Sequence, residues 1–248
     1  MRPYPAFIFF LVSFVCIPVF SQAQDDDFPT KKIERLNGRL MIEWSLPGSG
    51  MRPAMKNNMG NSGFGASFAI LSNPASWCRQ RRNSPLRLGV DAGYTYFGRF
   101  LSEVSVNGYR GNYKTSYGIL HANAVLQLRP ALADRIMPYL EVLGGGNFYL
   151  SNTKQDLSAI ETGLGVHGFD IGSYASAGFN KGLALGASFG RPGRNSPQVS
   201  VRMAYHWGDR LRYIVRNSLV YNPGSGSLEY FVAEAPVRYF LFQIGLAL

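Results

Sequence analysis

The stretch Arg238-Tyr-Phe-Leu-Phe-Gln-Ile-Gly-Leu-Ala-Leu248 alternates strictly. Phe240, Phe242, Ile244, Leu246 and Leu248 fall on one parity, and Tyr239, Leu241, Gln243, Gly245 and Ala247 on the other. A strand sends successive side chains to opposite faces, so this segment has one broad apolar face and one small or polar face. The apolar stripe runs to the last residue, and nothing after it covers that face. In water such a face is a liability; against lipid it is a lining. The segment therefore predicts a closing strand of a membrane-spanning barrel, inserted through its apolar stripe. It should pair with the first strand near Leu40 to Leu46, because an open edge cannot persist in hydrocarbon.

The opening residues agree. Arg2 is the only charge before Asp25, Ala6 to Phe20 are almost wholly apolar, and Ser21-Gln22-Ala23 places small residues at a cleavage position. This predicts a secretory signal peptide over residues 1–23, too short to be a spanning helix. Residues 24–37 (QDDDFPTKKIERLN) are polar and aperiodic, and predict a flexible periplasmic lead-in. The barrel is expected over residues 38–248.

No apolar run after residue 23 approaches the length of a spanning helix, which excludes an α-helical membrane protein. Glycine (28), Tyr (14) and Phe (17) are plentiful, as many short strands with aromatic girdles require. Of the two cysteines, Cys16 lies in the signal, so the exported chain keeps only Cys78 and no internal disulfide is expected. The net charge of +10 favours anionic lipopolysaccharide or acidic glycan over nucleic acid, since the arginines are scattered through alternating segments and no recognition motif is present.

Ten alternating segments follow residue 38. They start near Leu40, Phe64, Leu86, Leu120, Tyr139, Ile171, Leu183, Val199, Arg210 and Arg238. Asn180-Lys181-Gly182 reads as a hairpin turn between the sixth and seventh, and Gly208-Asp209 as a turn between the eighth and ninth. The fold class is thus an all-β, antiparallel up-and-down transmembrane barrel of ten strands. Eight is the alternative count if the first and ninth segments are not barrel strands. Residues 47–61, 98–115, 151–170 and 222–236 read as long loops, whereas 130–135, 180–182 and 208–209 are short. That asymmetry matches long extracellular loops and short periplasmic turns. Residues 73–85 and 191–197 break it.

With the larger apolar stripe outward, Glu43, Asp91 and Glu141 fall inside, as do Arg87, Arg129, Arg202 and Arg212. A charge facing lipid at mid-depth costs roughly 2–4 kcal/mol, so a lumen network that pairs these carboxylates with these arginines is expected. His121 and His206 fall on inward positions as lumen-lining polar residues, and His167 in a loop. They lack metal-ligand spacing, and no cofactor is expected. Gly163-Leu-Gly165-Val-His-Gly168 has the form GxGxxG without a βαβ context, so it reads as loop. The basic run Arg79, Arg81 and Arg82 beside Cys78 reads as a solvated turn. The Asp-x-His of omptin-like proteases and the His-x-Ser of lipid A deacylase-like enzymes are both absent.

Residues 84–97, SPLRLGVDAGYTYF, together with the ending FLFQIGLAL, resemble small Gram-negative outer-membrane barrels of the OmpA-transmembrane-domain/OmpX-like group, especially Bacteroidota versions. Leu248 stands where that group usually ends in an aromatic. The resemblance implies a bacterial outer-membrane location after export, contact with outer-membrane lipid and lipopolysaccharide, and insertion by the barrel-assembly machinery. The functional expectation is a non-enzymatic barrel with a charge-plugged lumen and extracellular loops for surface interaction or envelope integrity. A narrow pore for small solutes is the alternative, and an outer-membrane lipid-modifying enzyme or protease ranks below it.

Overall fold

The computed structural model describes residues 36–54, 60–76, 84–106, 109–130, 136–156, 172–190, 198–218, 220–222, 224 and 227–247. Residues 1–35, which hold the expected signal and most of the expected lead-in, lie outside these, as do Cys78, the Arg79–Arg82 run, residues 163–168 and Leu248; Leu36 and Asn37, expected at the end of the flexible lead-in, are already strand, because they pair with Ser72 and Leu71. No helix among the described residues is long and apolar enough to cross a membrane.

The chain forms a closed antiparallel barrel of eight strands. They are β1 (Leu36–Pro47), β2 (Gly63–Ser72), β3 (Leu86–Val106), β4 (Tyr109–Leu128), β5 (Ile136–Asp156), β6 (Gly172–Phe189), β7 (Gln198–Ile214) and β10 (Val232–Ala247). A two-stranded ribbon, β8 (Val220–Asn222) and β9 (Ser227–Glu229), decorates the β7–β10 connection. Neighbours in sequence are neighbours in the wall, and β1 closes against β10 through Leu40↔Leu246, Ile42↔Ile244, Trp44↔Phe242 and Leu46↔Phe240.

Eight strands rather than ten arise by fusion, with the first segment retained in the wall. Asn180-Lys-Gly182 is not a turn. It lies within β6, with Asn180 paired to Gly145 on one side and Gly208 on the other. Its residues keep the strand's parity, with Asn180 buried inside while Phe179, Lys181 and Leu183 point out. Gly208-Asp209 is likewise inside β7, where it forms a bulge. The register passes from Arg238↔Trp207 to Pro236↔Arg210, so two residues of β7 oppose Val237 alone. The expected loop at 98–115 is mostly an extended β3–β4 hairpin. A second bulge there, at Phe97, is followed by Gly98 at φ 107, a left-handed geometry that glycine reaches without cost.

The wall is apolar on the outside. Leu40 (62% exposed), Ile42 (68%), Val90 (55%), Leu185 (52%) and Ile244 (56%) show its scale, with Phe240, Phe242 and Leu246 in the same outward row. Trp44 stacks on Phe64, and Tyr205 lies against Trp207 and Phe240, so aromatic rings gather toward one end of the strands. That end carries the β1–β2, β3–β4, β5–β6 and β7–β10 connections.

Candidate functional site in the barrel lumen

Inward positions hold what the outer wall lacks. Glu43 (1% exposed), Arg87 (4%), Asp91 (2%), Glu141 (0%) and Arg202 (2%) are all buried within the barrel. Burying a charge is tolerable only with partners, and the lumen supplies them. Arg202 is the hub. Its Nη1 donates to Asp91 Oδ2 at 3.2 Å and to Gln243 Oε1 at 2.7 Å. Its Nε lies 2.8 Å from Glu141 Oε2, an ion pair rather than an aligned hydrogen bond. Glu141 accepts from Arg39 Nη2 at 2.6 Å and from Gln127 Nε2 at 2.8 Å. Glu43 is held by neutral donors instead, Thr95 Oγ1 at 2.5 Å and Gln243 Nε2 at 3.0 Å. Gln243 thus links Glu43, Ser67 and Arg202, and ties β10 to β1, β2 and β7.

Two residues expected in this network are elsewhere. Arg212 is exposed and pairs at 2.8 Å with Glu234, also exposed, on the outer side of the wall. The β7 bulge is the cause. Below it the even residues Arg202, Ala204 and His206 point inward; above it the odd residues Leu211 and Tyr213 do. Arg129 follows the end of β4, half-buried at the rim, with its guanidinium against Met137 Sδ. Conversely, Arg39 belongs to the network although the expected lumen charges do not include it. Its parity with Glu43 is the signal that points inward. Its guanidinium also lies 5.0 Å over the Tyr139 ring.

Above the ion pairs is a layer of amides and imidazoles. His121 and His206 are fully buried with ring centroids 5.7 Å apart, and Tyr239 stacks on His206 at 4.9 Å. Asn180 Nδ2 donates to Asn123 Oδ1 at 2.9 Å and lies 3.0 Å from His206 Nδ1. Tyr239 donates to Asn147 Oδ1 at 3.2 Å. Gly145 makes room between Asn123 and Asn180, since a Cβ there would come within 2.0 Å of the Ala122 carbonyl oxygen. Among the described residues no three His, Cys, Asp or Glu side chains converge as a metal set.

Toward the loop-bearing end the lumen becomes mainly aromatic and apolar, with the buried hydroxyls of Thr115 and Thr153 3.0 Å apart beyond it. Phe97, Tyr117, Tyr149, Leu211, Tyr213 and Val237 form one buried cluster. Tyr117 donates its hydroxyl to the Ile214 carbonyl at 3.0 Å. The turn after β1 folds over this cluster, fastened by Gly48 N–H to the Arg238 carbonyl at 2.7 Å, and inserts Met51, which is 4% exposed. From one end to the other the lumen therefore runs through ion pairs, amides and imidazoles, then aromatic rings.

No protein-family model matches the chain, and no curated protein matches it in sequence. Among solved structures it is similar to Neisserial surface protein A, at 12% identity over 86% of this chain and 96% of that one, with a TM-score of 0.43. A major outer membrane protein from Thermus thermophilus is 10% identical over 85% of this chain and 98% of that one, with a TM-score of 0.48. Ail, the attachment invasion locus protein of Yersinia pestis, is 12% identical over 87% of this chain and 100% of that one, with a TM-score of 0.39.

Proposed function

We propose that this chain is an integral protein of the bacterial outer membrane whose lumen is plugged by its own side chains, and that it acts without catalysis through its surface loops or by supporting the envelope. One observation carries the reading: the polarity of the barrel is inverted relative to a soluble one. Arg202, Glu141, Asp91 and Glu43 are sealed inside, while leucine, isoleucine, valine and phenylalanine side chains cover the outside. Only lipid makes that exterior favourable. In this reading the first 23 residues export the chain, the barrel-assembly machinery inserts it through the stripe from Phe240 to Leu248, and lipopolysaccharide surrounds the loop-bearing end.

The plug follows from the lumen's width. Eight strands enclose a space that side chains just fill. Three arginines (Arg39, Arg87, Arg202) and three carboxylates (Glu43, Asp91, Glu141) occupy it, with Tyr139, Tyr239 and the histidines between them. The carboxylates are engaged by Arg39, Arg202, Thr95 and Gln243, which leaves them poorly placed to act as general acids or bases on an outside substrate. Conductance in planar bilayers tests the reading. The purified barrel should insert without discrete current steps at neutral pH. Regular, solute-selective steps would replace the plug with a narrow pore.

A further inference from the structure

The wall has a break. The β6–β7 ladder stops at Asn180↔Gly208. Above that pair β6 continues through Gly172–Phe179, laddered only to β5, and β7 continues to Ile214, laddered only to β10. Among the described residues, two facing strand edges therefore stand unpaired there. Three contacts fasten the gap in place of a ladder. Phe179 N–H donates to Asp209 Oδ2 at 2.9 Å, Arg212 N–H donates to Ser176 Oγ at 3.1 Å, and the Arg212 side chain reaches Tyr174.

Three further observations give the gap a direction. It opens at the level of Trp207, whose ring lies against Tyr205 beside Phe240, in the aromatic girdle that marks a membrane interface. Behind it lies a small cavity lined by Met51, Ala54, Tyr149, Leu211, Tyr213, Ala235 and Val237, rather than by the ion pairs found deeper in the lumen. Around its outer lip Lys181, Arg210 and Arg212 are exposed. The lip at Gly178 has no side chain, and Leu211 lies where one would be: a Cβ there would sit 2.9 Å from Leu211 Cδ2.

We infer that this break is a side entrance through which the acyl chain of an anionic outer-leaflet lipid reaches the apolar upper lumen, its headgroup held by Lys181, Arg210 and Arg212 at the lip. An unpaired edge costs several kcal/mol where no water reaches it, so a barrel with a complete ladder is the cheaper construction. The break lies at the interface, where headgroups and water satisfy the edges. It leads to the part of the lumen whose chemistry matches hydrocarbon. Met51 and Leu211 line that space, and entry turns these two flexible side chains aside.

The inference rests on the outer-membrane reading above, and one experiment separates the two. The refolded protein in phosphatidylcholine vesicles is irradiated with hexadecanoic acid carrying a diazirine near its ω end, and labelled peptides are mapped. Outward Met203 and Phe242 should be labelled because they face lipid, and inward Tyr149, Leu211 and Tyr213 because the chain enters. Ala235→Phe, which fills the cavity, should cut inward labelling at least fivefold and leave Met203 and Phe242 unchanged. Asp209→Ala, which removes one fastening, should raise it severalfold. Label confined to outward residues in both the wild type and Asp209→Ala, or inward label insensitive to Ala235→Phe, would overturn the side entrance alone. Absence of label on Met203 and Phe242 would overturn the membrane reading and the entrance with it.

Discussion

Arg202 shows how much one lumen residue holds. It contacts Asp91, Glu141 and Gln243, and through Gln243 it is tied to Glu43. Arg202→Leu takes the shared cation away from Asp91 and Glu141 and leaves Glu141 with Arg39. Removing one partner of a buried pair costs about 3–5 kcal/mol, and urea titration of the refolded barrel should show a loss of that order. Arg212→Ala is the matched control. Its pair with Glu234 is solvent-exposed, and exposed ion pairs add little, so the same titration should barely move. A large loss at Arg212 and a small one at Arg202 would mean that the inside-outside assignment above the β7 bulge is reversed. Gln243 is equally constrained. Wedged between Glu43, Ser67 and Arg202, it does not tolerate a second guanidinium, and Gln243→Arg is expected to destabilise the barrel as well.

At the scale of elements, the two bulges decide which residues face in. Gly98 adopts φ 107 with nothing within 4 Å of where a Cβ would stand. Gly98→Ala therefore tests backbone strain without steric clash, and should cost about 1–2 kcal/mol in the same titration. An unchanged midpoint would show that the β3 bulge does not need this geometry. Phe242→Arg, on the outward row of β10, should lower stability by roughly 2–4 kcal/mol in vesicles. What is readable in the sequence follows from the same physics. Where lipid or lumen fixes every second residue, as from Leu40 to Leu46 and from Phe240 to Leu246, parity alone places the side chains. Asn180-Lys-Gly182 misleads because its residues suit a turn and also continue the alternation, and only the pairing with Gly145 and Gly208 separates the two. Arg212 misleads because a bulge adds one residue and reverses parity beyond it, and Gly208-Asp209 carries the turn-like residues that hide such a bulge. Arg39 is legible by parity but lies near the strand's start. The break between β6 and β7 leaves no trace in the alternation, since pairing between strands is not written along either one.

For the whole molecule, an exterior built for hydrocarbon encloses an interior built from ion pairs, amides and aromatic rings in succession. An eight-stranded closed wall accounts for both, because every strand of the ring is paired with two neighbours. The charges then serve the lumen, and the outward rows serve the membrane. The most direct test of that division is the environment of single nitroxide labels placed at Ile42, Met203 and Phe242 in a Cys78→Ser background, in phospholipid vesicles. Collision with dissolved oxygen should exceed collision with a water-soluble nickel chelate at all three positions, as it does for groups in hydrocarbon. Nickel accessibility at these positions equal to that of an aqueous loop would contradict the account, because the apolar exterior would then face water.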